Sequence, residues 1–318
     1  MKTGSQEHQS AKRVVVIGSV NYDLTSYVNE FPKPNETISS ISSAANLGGK
    51  GLNQAVAAAR MGANVHMIGC IGGGQFGDAA KIHLQSNGVN IDYLVTNPEA
   101  MTGTAAIAVD HEGNNTIIVN AGANQHLSKK DIDHAKKIIL TADVVLVQAE
   151  LSYEAIEYAL RTANEAQIPT IFNPAPANPA LVNLLKYVDY VTPNETETET
   201  LTGVNPSERE DILTAITVLN QTGVGNVVIT CGSRGCIVGG SEGFSVSLPY
   251  NVTAIDTTGA GDVFNGVFAY GIAHKMNIAD AVDIASAAAA LSVEKKTANS
   301  APHYPEVEAL MSSKQEEK

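Results

Sequence analysis

The sequence "AIDTTGAGDVFNG", residues 254–266, places an acidic residue in a glycine-rich turn directly before an apolar segment. The glycines at 259 and 261 let backbone N–H groups approach an anion without interference from a Cβ atom. A helix that begins near Val263 directs its positive end toward the same place. Asp262 therefore stands where a carboxylate can accept a proton from a hydroxyl group while N–H groups stabilise a phosphoryl group. The alternative is an ordinary aspartate at a helix N-terminus after a glycine turn.

The composition excludes several classes of protein. The chain has 318 residues and a formal net charge of −13, so it lacks the basic footprint of a nucleic-acid-binding protein. No apolar run approaches the roughly 20 residues that span a bilayer, and the polar residues 1–12 predict a disordered leader without a secretory signal. Three cysteines, Cys70, Cys231 and Cys236, fit a reducing compartment. We therefore expect a cytoplasmic protein without nucleic-acid or membrane partners.

Segments of strand character alternate with segments of helical spacing along most of the chain. The strand-like runs are residues 13–19, 64–72, 142–150, 168–176, 187–194 and 226–235. The helical segments are residues 49–63, 77–89, 152–166 and 211–223. This alternation predicts an α/β fold, with a parallel sheet covered by helices on both faces. Ligands of such sheets bind beyond the carboxyl ends of the strands.

Two stretches break this alternation. Residues 24–43 and 92–120 show strand-like alternation with hairpin turns, the second turn at "HEGNN". They cannot be crossover helices, so we interpret them as a small sheet that projects from the main body over the site. Edge strands of the main sheet are the alternative.

A second glycine cluster, "NLGGKGLNQA" at residues 46–55, places Lys50 and Asn53 at a predicted helix start. It is not a Walker A loop, which would need Gly at position 44 and Ser or Thr at position 51. An ammonium and an amide beside exposed backbone suit a polyhydroxylated ligand. A helix N-terminus with a solvated lysine is the alternative.

Together these motifs resemble the ribokinase group of the pfkB carbohydrate kinase family, from about residue 13 to residue 310. The matching stretches, in order, are "GSVNYDL" (18–24), "GGKGLNQAVAAARMGA" (48–63), "AGAN" (121–124), "QAE" (148–150), "NPAPA" (173–177), "TPNETE" (192–197), "ITCGSRG" (229–235) and "DTTGAGDVFNG" (256–266). A single glycine loop is weak evidence, whereas this ordered set is specific for the family.

The resemblance implies one three-layer αβα domain over residues 13–318, with a central, mainly parallel sheet and a small β-sheet lid. It implies transfer of the γ-phosphoryl group of ATP to O5 of D-ribose, giving D-ribose 5-phosphate. A 2-deoxyribose kinase, or another sugar or nucleoside kinase of the family, is the alternative. It also implies Mg²⁺, a monovalent cation such as K⁺, and a homodimer formed through the lids.

The resemblance also implies roles for individual residues. Asp262 matches the catalytic base, and Gly259, Ala260 and Gly261 match the anion hole. Sugar contacts match Asn21, Asp23, Gly49, Lys50, Asn53 and Glu150, with Asp262. Contacts to the nucleotide and its magnesium match Asn194, Glu197, Thr230, Gly232, Ser233, Gly235, Gly261 and Ser286. Ligands of the monovalent cation match Asp256, Thr258, Ser292, Lys295, Thr297 and Ala301. Three of these positions depart from the usual family residue: Ser286, Thr297 and Ala301.

Two functions of other classes remain as alternatives. Gly72, Gly74 and Gly77 form a G-x-G-x-x-G pattern after a strand, with Asp92 about 20 residues further on, as in dinucleotide-binding dehydrogenases. A sugar-binding or regulatory protein on the same scaffold is the second alternative. Turnover of ATP with ribose separates both from a kinase.

Overall fold

Strands and helices alternate along the chain in the computed structural model, which describes residues 11–240, 243–295 and 300–316. The strands are β1 Arg13–Ile17, β2 Asn21–Tyr27, β3 Ser42–Gly48, β4 Asn64–Gly72, β5 Asn90–Asn97, β6 Gly103–Val109, β7 Asn115–Asn120, β8 Val144–Gln148, β9 Thr170–Asn173, β10 Tyr190–Val191, β11 Asn226–Thr230, β12 Cys236–Gly240 and β13 Gly243–Ser247. The α-helices are α1 Lys50–Arg60, α2 Gln75–Ser86, α3 Lys129–His134, α4 Lys136–Ile139, α5 Tyr153–Glu165, α6 Glu195–Thr202, α7 Arg209–Asn220, α8 Ala260–Ala273, α9 Ile278–Ser292 and α10 Tyr304–Glu316. Short 3-10 helices cover Gly122–His126, Pro179–Tyr187 and Gly232–Arg234.

The main sheet has nine strands in the order β13-β12-β11-β10-β9-β8-β1-β4-β5. The strands from β11 to β5 run parallel, and β12 and β13 pair antiparallel at one edge. In β1, Val14 and Val16 pack in one hydrophobic cluster with α1, α8 and α9, whereas Val15 and Ile17 pack in another with α5 and α7. Helices therefore cover both faces of the sheet, as expected for a parallel sheet. The predicted three-layer αβα fold is confirmed.

A second, four-stranded sheet has the order β3-β2-β6-β7. Strand β2 lies parallel to β6 and antiparallel to β3, and β7 closes the sheet antiparallel to β6. This sheet is the small sheet predicted from the sequence, with different bounds. Its first hairpin begins at Asn21 and ends at Gly48, so the predicted segment 24–43 is too short at both ends.

The second predicted segment, residues 92–120, is wrong at its start. Residues 92–97 belong to β5, which pairs parallel with β4 at the edge of the main sheet. Helix α2 carries the chain back between these two strands, and such a crossover makes the next strand parallel. The contribution of this segment to the small sheet starts at Gly103.

The predicted leader falls almost wholly outside the described residues, which begin at residue 11. Lys12, assigned to that leader, contacts Asp143 with its Nζ atom 3.1 Å from Oδ1, and its carbonyl oxygen accepts from the N–H group of Asn64. The folded part therefore includes Lys12. Among residues 11–240, 243–295 and 300–316, no helix has both the length and the apolar character that crossing a membrane requires.

Helix α8 lies unusually close to helix α1. A Cβ atom on Gly266 would lie 2.4 Å from the carbonyl oxygen of Gln54 and 2.7 Å from the Cβ atom of Ala57. Only glycine permits this approach. As a result, side chains at the start of α1 reach the first turn of α8.

Candidate active site

Asp262 lies in the first turn of α8, and its side chain is buried. The helix begins after Gly259, whose φ of 80° is left-handed and favours glycine. The two carboxylate oxygens accept hydrogen bonds from different amides of α1. Asn53 Nδ2 lies 3.0 Å from Oδ2, and Gln54 Nε2 lies 3.0 Å from Oδ1. Asp262 is thus a buried carboxylate held in one orientation by two neutral donors.

The turn before Asp262 faces open space. A Cβ atom built on Gly261 meets no atom of the described residues within 4 Å. The N–H groups in the first turn of a helix lack intrahelical acceptors, and the helix dipole favours an anion there. The carbonyl oxygen of Gly261 accepts from Asn265 Nδ2 at 2.8 Å, which holds this turn from behind. Gly259, Ala260 and Gly261 therefore form a fixed turn that is open to an anion.

Glu150 follows β8 and binds the start of α1. Its Oε2 accepts from Ser19 Oγ at 2.5 Å and from the backbone N–H group of Lys50 at 3.0 Å. The N-terminal residue before α1, Gly49, offers no side chain to cap this helix, so a carboxylate one hundred residues away supplies the acceptor. Oε1 of Glu150 remains for a ligand hydroxyl.

Lys50 lies among three carboxylates. Burial by itself lowers the pKa of Lys50, but Asp262, Glu150 and Glu197 together raise it above its ordinary value. The side chain therefore stays protonated at neutral pH. It places a positive charge between the predicted base and the predicted sugar-binding acids.

Asp23 lies on β2, facing the same space. Burial, followed by the charges of Glu150 and Asp262, raises the pKa of Asp23 to about 6. Its carboxylate has no hydrogen-bond donor among the described residues. A carboxylate at such a position gains most from hydroxyl donors on a ligand.

The orientation of Asn21 follows from backbone groups. Asn124 accepts from the N–H group of Val20 at 2.9 Å through Oδ1, so its Nδ2 must point the other way, toward the carbonyl oxygen of Val20 and toward Asn21. The atom of Asn21 that lies 2.8 Å from Asn124 Nδ2 is therefore the acceptor Oδ1. This leaves Nδ2 of Asn21 as a donor for a ligand.

The predicted nucleotide residues meet beyond β10 and β11. Asn194 and Glu197 form a capping box at the start of α6: Glu197 N–H donates to Asn194 Oδ1 and Asn194 N–H donates to Glu197 Oε2, both at 2.8 Å. Asn194 also pairs with Thr230 across the sheet end. Burial raises the pKa of Glu197, against the lowering effects of the Asn194 N–H group and Lys50.

Three more of the residues predicted to contact the nucleotide follow β11, and a fourth lies on α9. Gly232 and Ser233 lie in the 3-10 helix Gly232–Arg234, and Gly235 leads into β12. Ser286 lies on α9 with its Oγ 3.8 Å from the Sγ atom of Cys236 on β12. The structure thus brings the turn after β11 together with α6, and sets Ser286 on the antiparallel side of the sheet.

The predicted cation residues are only partly assembled. The N–H groups of Ile255 and Asp256 donate to the carbonyl oxygen of Val293, which places Asp256 and Thr258 beside Ser292 at the end of α9. Thr258 N–H donates to Asp256 Oδ1 at 2.9 Å. Lys295 pairs with Glu306 at 3.2 Å, and Thr297 lies outside the described residues.

Ala301 does not join this group. Its carbonyl oxygen accepts from Arg60 Nη1 at 2.6 Å, which places a guanidinium where the resemblance implies a cation ligand. The neighbouring Ser300 is buried, and its Oγ finds no partner in the described parts of the chain.

Three further residues of the site were not assigned from the sequence: Ser19, Gln54 and Asn124. Each lies within one of the motifs quoted above, but its hydrogen-bond partner is far along the chain. The separation is 131 positions for Ser19, 208 for Gln54 and 104 for Asn124. Their place inside these motifs was the one sequence signal that could have singled them out. Each of the three forms a hydrogen bond with another residue of the candidate site, and no local sequence pattern reveals such a long-range pair.

Gly72 and Gly77 have a packing role, whereas Gly74 takes a left-handed φ of 86° directly before α2. A Cβ atom on Gly72 would lie 2.2 Å from the N atom of Thr102, and one on Gly77 would lie 2.1 Å from the carbonyl oxygen of Gly72. Asp92 lies on β5, in the main sheet and not in the small sheet. Close packing near β4, α2 and the residue before β6 therefore accounts for Gly72 and Gly77, and the backbone conformation accounts for Gly74.

A family model and individual known proteins that resemble this chain all point to sugar kinases. A model of the pfkB family carbohydrate kinases matches residues 11–304. Ribokinase of Haemophilus influenzae is 38% identical over 289 residues, 91% of this chain and 94% of its own length. Deoxyribokinase of Salmonella typhi is 35% identical over 297 residues, 93% of this chain and 96% of its own length.

A solved structure is also closely similar. The structure of Arabidopsis thaliana ribokinase complexed with ribose and ATP has a TM-score of 0.88 and 29% identity, and the match covers 95% of this chain and 99% of that chain. The family model spans nearly the whole described part of the chain, and the relatives match over most of their length. The chain belongs to the pfkB family of carbohydrate kinases.

Proposed function

We propose that this protein phosphorylates D-ribose at O5 with ATP, giving D-ribose 5-phosphate and ADP. The observation that carries the proposal is the buried carboxylate of Asp262 beside an open helix N-terminus, with Asn53 and Lys50 on one side of it. The Arabidopsis relative, solved with ribose and ATP, supports both ligands.

In this mechanism Asp262 is the general base. The hydroxyl at O5 gives its proton to Asp262, and O5 bonds to the γ-phosphorus as the bond to the β,γ-bridging oxygen breaks and ADP leaves with the electron pair. The first-turn N–H groups around Gly261 stabilise the oxygens of the moving phosphoryl group. Lys50 holds positive charge beside both the base and Glu150.

We propose that Mg²⁺ enters with the nucleotide. Among the described residues, no group of three or more acidic, histidine or cysteine side chains is arranged to hold a metal. This fits an ion that keeps waters and phosphate oxygens as most of its ligands. Glu197, with Oε2 committed to the capping box and Oε1 available, is the carboxylate that would hold such waters. The ion supplies neutralising charge to the phosphates.

We propose that K⁺ binds beside Asp256 and Thr258 and organises the turn that leads to Gly259. Activity should rise when K⁺ replaces a bulky organic cation at equal ionic strength. Equal rates in the two salts would exclude a functional cation site.

We propose ribose as the preferred acceptor over 2-deoxyribose. Deoxyribokinase of Salmonella typhi is nearly as similar to this chain as the ribokinase relative, so overall identity does not decide the acceptor. Support for ribose comes from Asn21, a buried residue whose Oδ1 accepts from Asn124 and whose Nδ2 can donate to a sugar hydroxyl. An unpaired donor costs roughly 1–3 kcal/mol, so we expect a preference of about 10- to 100-fold in kcat/KM.

A sugar-panel assay with ATP and the purified protein tests the proposal. Ribose should give the highest kcat/KM, and Asn21→Met should shrink the preference for ribose mainly by harming ribose. Equal or better use of 2-deoxyribose by the unmodified enzyme would assign the protein as a deoxyribose kinase. Absence of sugar-dependent ADP release would contradict both.

We propose a homodimer formed through the small sheet. Large apolar side chains of this sheet are exposed: Leu24, Ile117, Ile118 and Val119. Ile118 is 70% exposed and lies on the same face as Leu24, because both pair with Ala106, whereas Ile117 and Val119 point to the other face. Exposed apolar side chains on one face of a sheet support an association surface there. We also propose that the enzyme works in the cytoplasm, because its three cysteines are free and buried thiols.

A further inference from the structure

A chain of buried side-chain amides lies behind Asp262. It consists of Gln54 on α1, Gln148 at the end of β8 and Asn173 at the end of β9. Gln54 and Gln148 are fully buried, and Asn173 is nearly so. Burying three amides is costly unless they bond to one another, so the chain calls for a functional explanation.

Every bond of Gln54 has a fixed direction. Its Nε2 donates to Asp262 Oδ1 at 3.0 Å and to Asn173 Oδ1 at 3.1 Å. An ionised carboxylate only accepts, so Gln54 must present Nε2 to Asp262. Its Oε1 then faces Gln148 and accepts from Nε2 of that residue at 2.7 Å.

The far ends of the chain are also fixed. Asn173 Nδ2 donates to the carbonyl oxygen of Thr192 at 3.2 Å, so Asn173 must turn Oδ1 toward Gln54. The hydroxyl of Thr192 in turn contacts Asn265, whose Nδ2 donates to the carbonyl oxygen of Gly261. One network of side chains therefore reaches both the base and the turn beside it.

One buried acceptor in this chain is left over. Gln148 Oε1 has no hydrogen-bond partner within the described residues. Turning the Gln148 amide over would satisfy nothing, because Gln54 needs a donor at that point. In this chain of amides, the carbonyl of Gln148 therefore stays without a hydrogen bond while Gln54 keeps its Nε2 directed at Asp262.

We propose that Gln54 is a positioning residue for the reaction: it holds the carboxylate of Asp262 in the orientation that receives the substrate proton and favours its charged form. This inference rests on the proposed function, in which Asp262 is the base. Position 54 lies between Asn53, matched to a sugar contact, and the apolar face of α1, and nothing in the sequence pattern assigns it a role.

The electrostatic surroundings explain why such a donor is useful. Asp262 shares its space with the acids Asp23, Glu150 and Glu197 and with one cation, Lys50. A carboxylate that is to accept a proton must be held by donors that do not give up a proton themselves. Hydrogen bonds from neutral amides favour the charged form without competing for the proton.

The first test replaces Gln54 by methionine, which has a similar length and no donor. We expect kcat to fall about 10- to 100-fold while KM for ribose and ATP changes less than about threefold. The acid limb of the kcat–pH profile should move upward by about one pH unit, since the charged carboxylate loses a donor. A merely structural role would change stability without moving this limb.

Gln148→Met is the matched control. It makes the same chemical change in the same buried chain, one residue further from Asp262, and leaves both Nε2 bonds of Gln54 in place. We expect a smaller fall in kcat and an unmoved acid limb. Equal effects of the two variants would overturn the positioning role and indicate a general effect of core polarity.

Gln54→Glu provides a second, isosteric variant. At low pH the introduced carboxylic acid is protonated and can donate to Asp262, whereas at higher pH it loses this proton and repels the base. We therefore expect activity that falls as pH rises through neutrality, opposite to the unmodified enzyme. A profile parallel to that of the unmodified enzyme would overturn the proposal.

The outcomes distinguish failure of the proposed function from failure of the positioning role of Gln54. Ribose turnover by the unmodified protein tests the proposed function before any variant is made. If that turnover is present and Gln54→Met keeps both its kcat and its acid limb, only the positioning role is wrong. Calorimetric ATP binding and urea unfolding of each variant identify any loss caused by misfolding.

Discussion

The two sides of the active site are built from opposite kinds of structure. Asp262 lies on α8, where every residue from Asp262 to Ala273 is buried. Asn21 and Asp23 lie on β2 of the small sheet, whose strand β7 is exposed along its full length. The proposed base therefore stands on a buried helix, whereas two of the proposed sugar contacts stand on a sheet whose outer strand is exposed.

The small sheet nevertheless has defined anchors to the body. The ring of Tyr22 on β2 stacks on Phe76 of α2 with 4.2 Å between ring centroids. Asn124 holds both Val20 and Asn21 from the 3-10 helix Gly122–His126. Substitutions in the first turn of α8 should therefore stop the reaction, and substitutions in the small sheet should change sugar binding or assembly. The following four predictions test this division.

Asp262→Asn should have the largest effect. The amide keeps the shape of the side chain but cannot accept the proton, so we expect turnover to fall on the order of 10²–10⁴-fold with nucleotide still bound. Steady-state kinetics with ribose and calorimetry with ATP provide the measurement. Near-normal turnover would contradict the assignment of Asp262 as base.

Gly261→Ala should separate activity from stability. Its Cβ atom would enter open space, so the fold should be retained, but that space is the one proposed for the phosphoryl group. We expect about a 10- to 100-fold loss of kcat with an unfolding free energy within about 0.5 kcal/mol of the unmodified protein.

Gly266→Ala on the same helix is the control for this variant. Its Cβ atom would meet the backbone of α1 at 2.4 Å, so it should cost about 1–3 kcal/mol in urea unfolding. If Gly261→Ala instead destabilises the protein as much as Gly266→Ala does, the open turn has a structural role.

Asp23→Asn tests the small-sheet side of the site through its pH dependence. The pKa of Asp23 is raised from 3.8 to about 6, so the folded protein loses stability as pH rises through this window. Removing the charge should therefore stabilise the protein by about 1–3 kcal/mol at pH 8 and by nothing below about pH 4.

The same substitution should weaken sugar binding. In the unmodified enzyme, KM for ribose should rise as pH falls below about 6, where Asp23 becomes protonated. Asp23→Asn should raise KM for ribose about 10-fold or more and remove this rise. A variant with both unchanged stability and unchanged KM would show that Asp23 does not face the sugar.

Ile118→Lys should have the smallest effect on catalysis. It places a charge on the exposed face of the small sheet, so a dimer formed there should dissociate while kcat changes less than about threefold. Sedimentation velocity of both proteins provides the measurement. A variant that stays dimeric would place the interface elsewhere.

Most of the fold could be predicted from the sequence because burial leaves a local pattern. The strand at residues 13–19 and the helix at 152–166 appear as β1 and α5, since apolar runs and helical spacing reflect which faces are buried. The same dependence on burial explains why residues 92–97 of β5 were wrongly assigned to the small sheet. As an edge strand it is half-buried, so it shows the same alternation as the strands of the small sheet.

Residues of the candidate site, whose roles stay predictions, could be singled out from the sequence only where each lies in a motif of its own. Asp262, Lys50 and Asn53 stand in glycine-rich turns whose backbone signals them. The capping box of Asn194 and Glu197 gives that motif a local structural role beside the proposed nucleotide contact, which stays a proposal. Gln54 and Asn124 act on partners far along the chain, and a single sequence carries no trace of such pairs.

The bond between Glu150 and the start of α1 has a consequence for synthesis of the protein. Helix α1 receives its N-terminal acceptor from a residue 100 positions later, and its amides reach Asp262 more than 200 positions later. A nascent chain emerging from the ribosome therefore carries Lys50 long before it carries Asp262. Closing such distant loops is slow, so catalytic competence arrives only at the end of translation and folding. An incomplete chain has no assembled site with which to consume ATP.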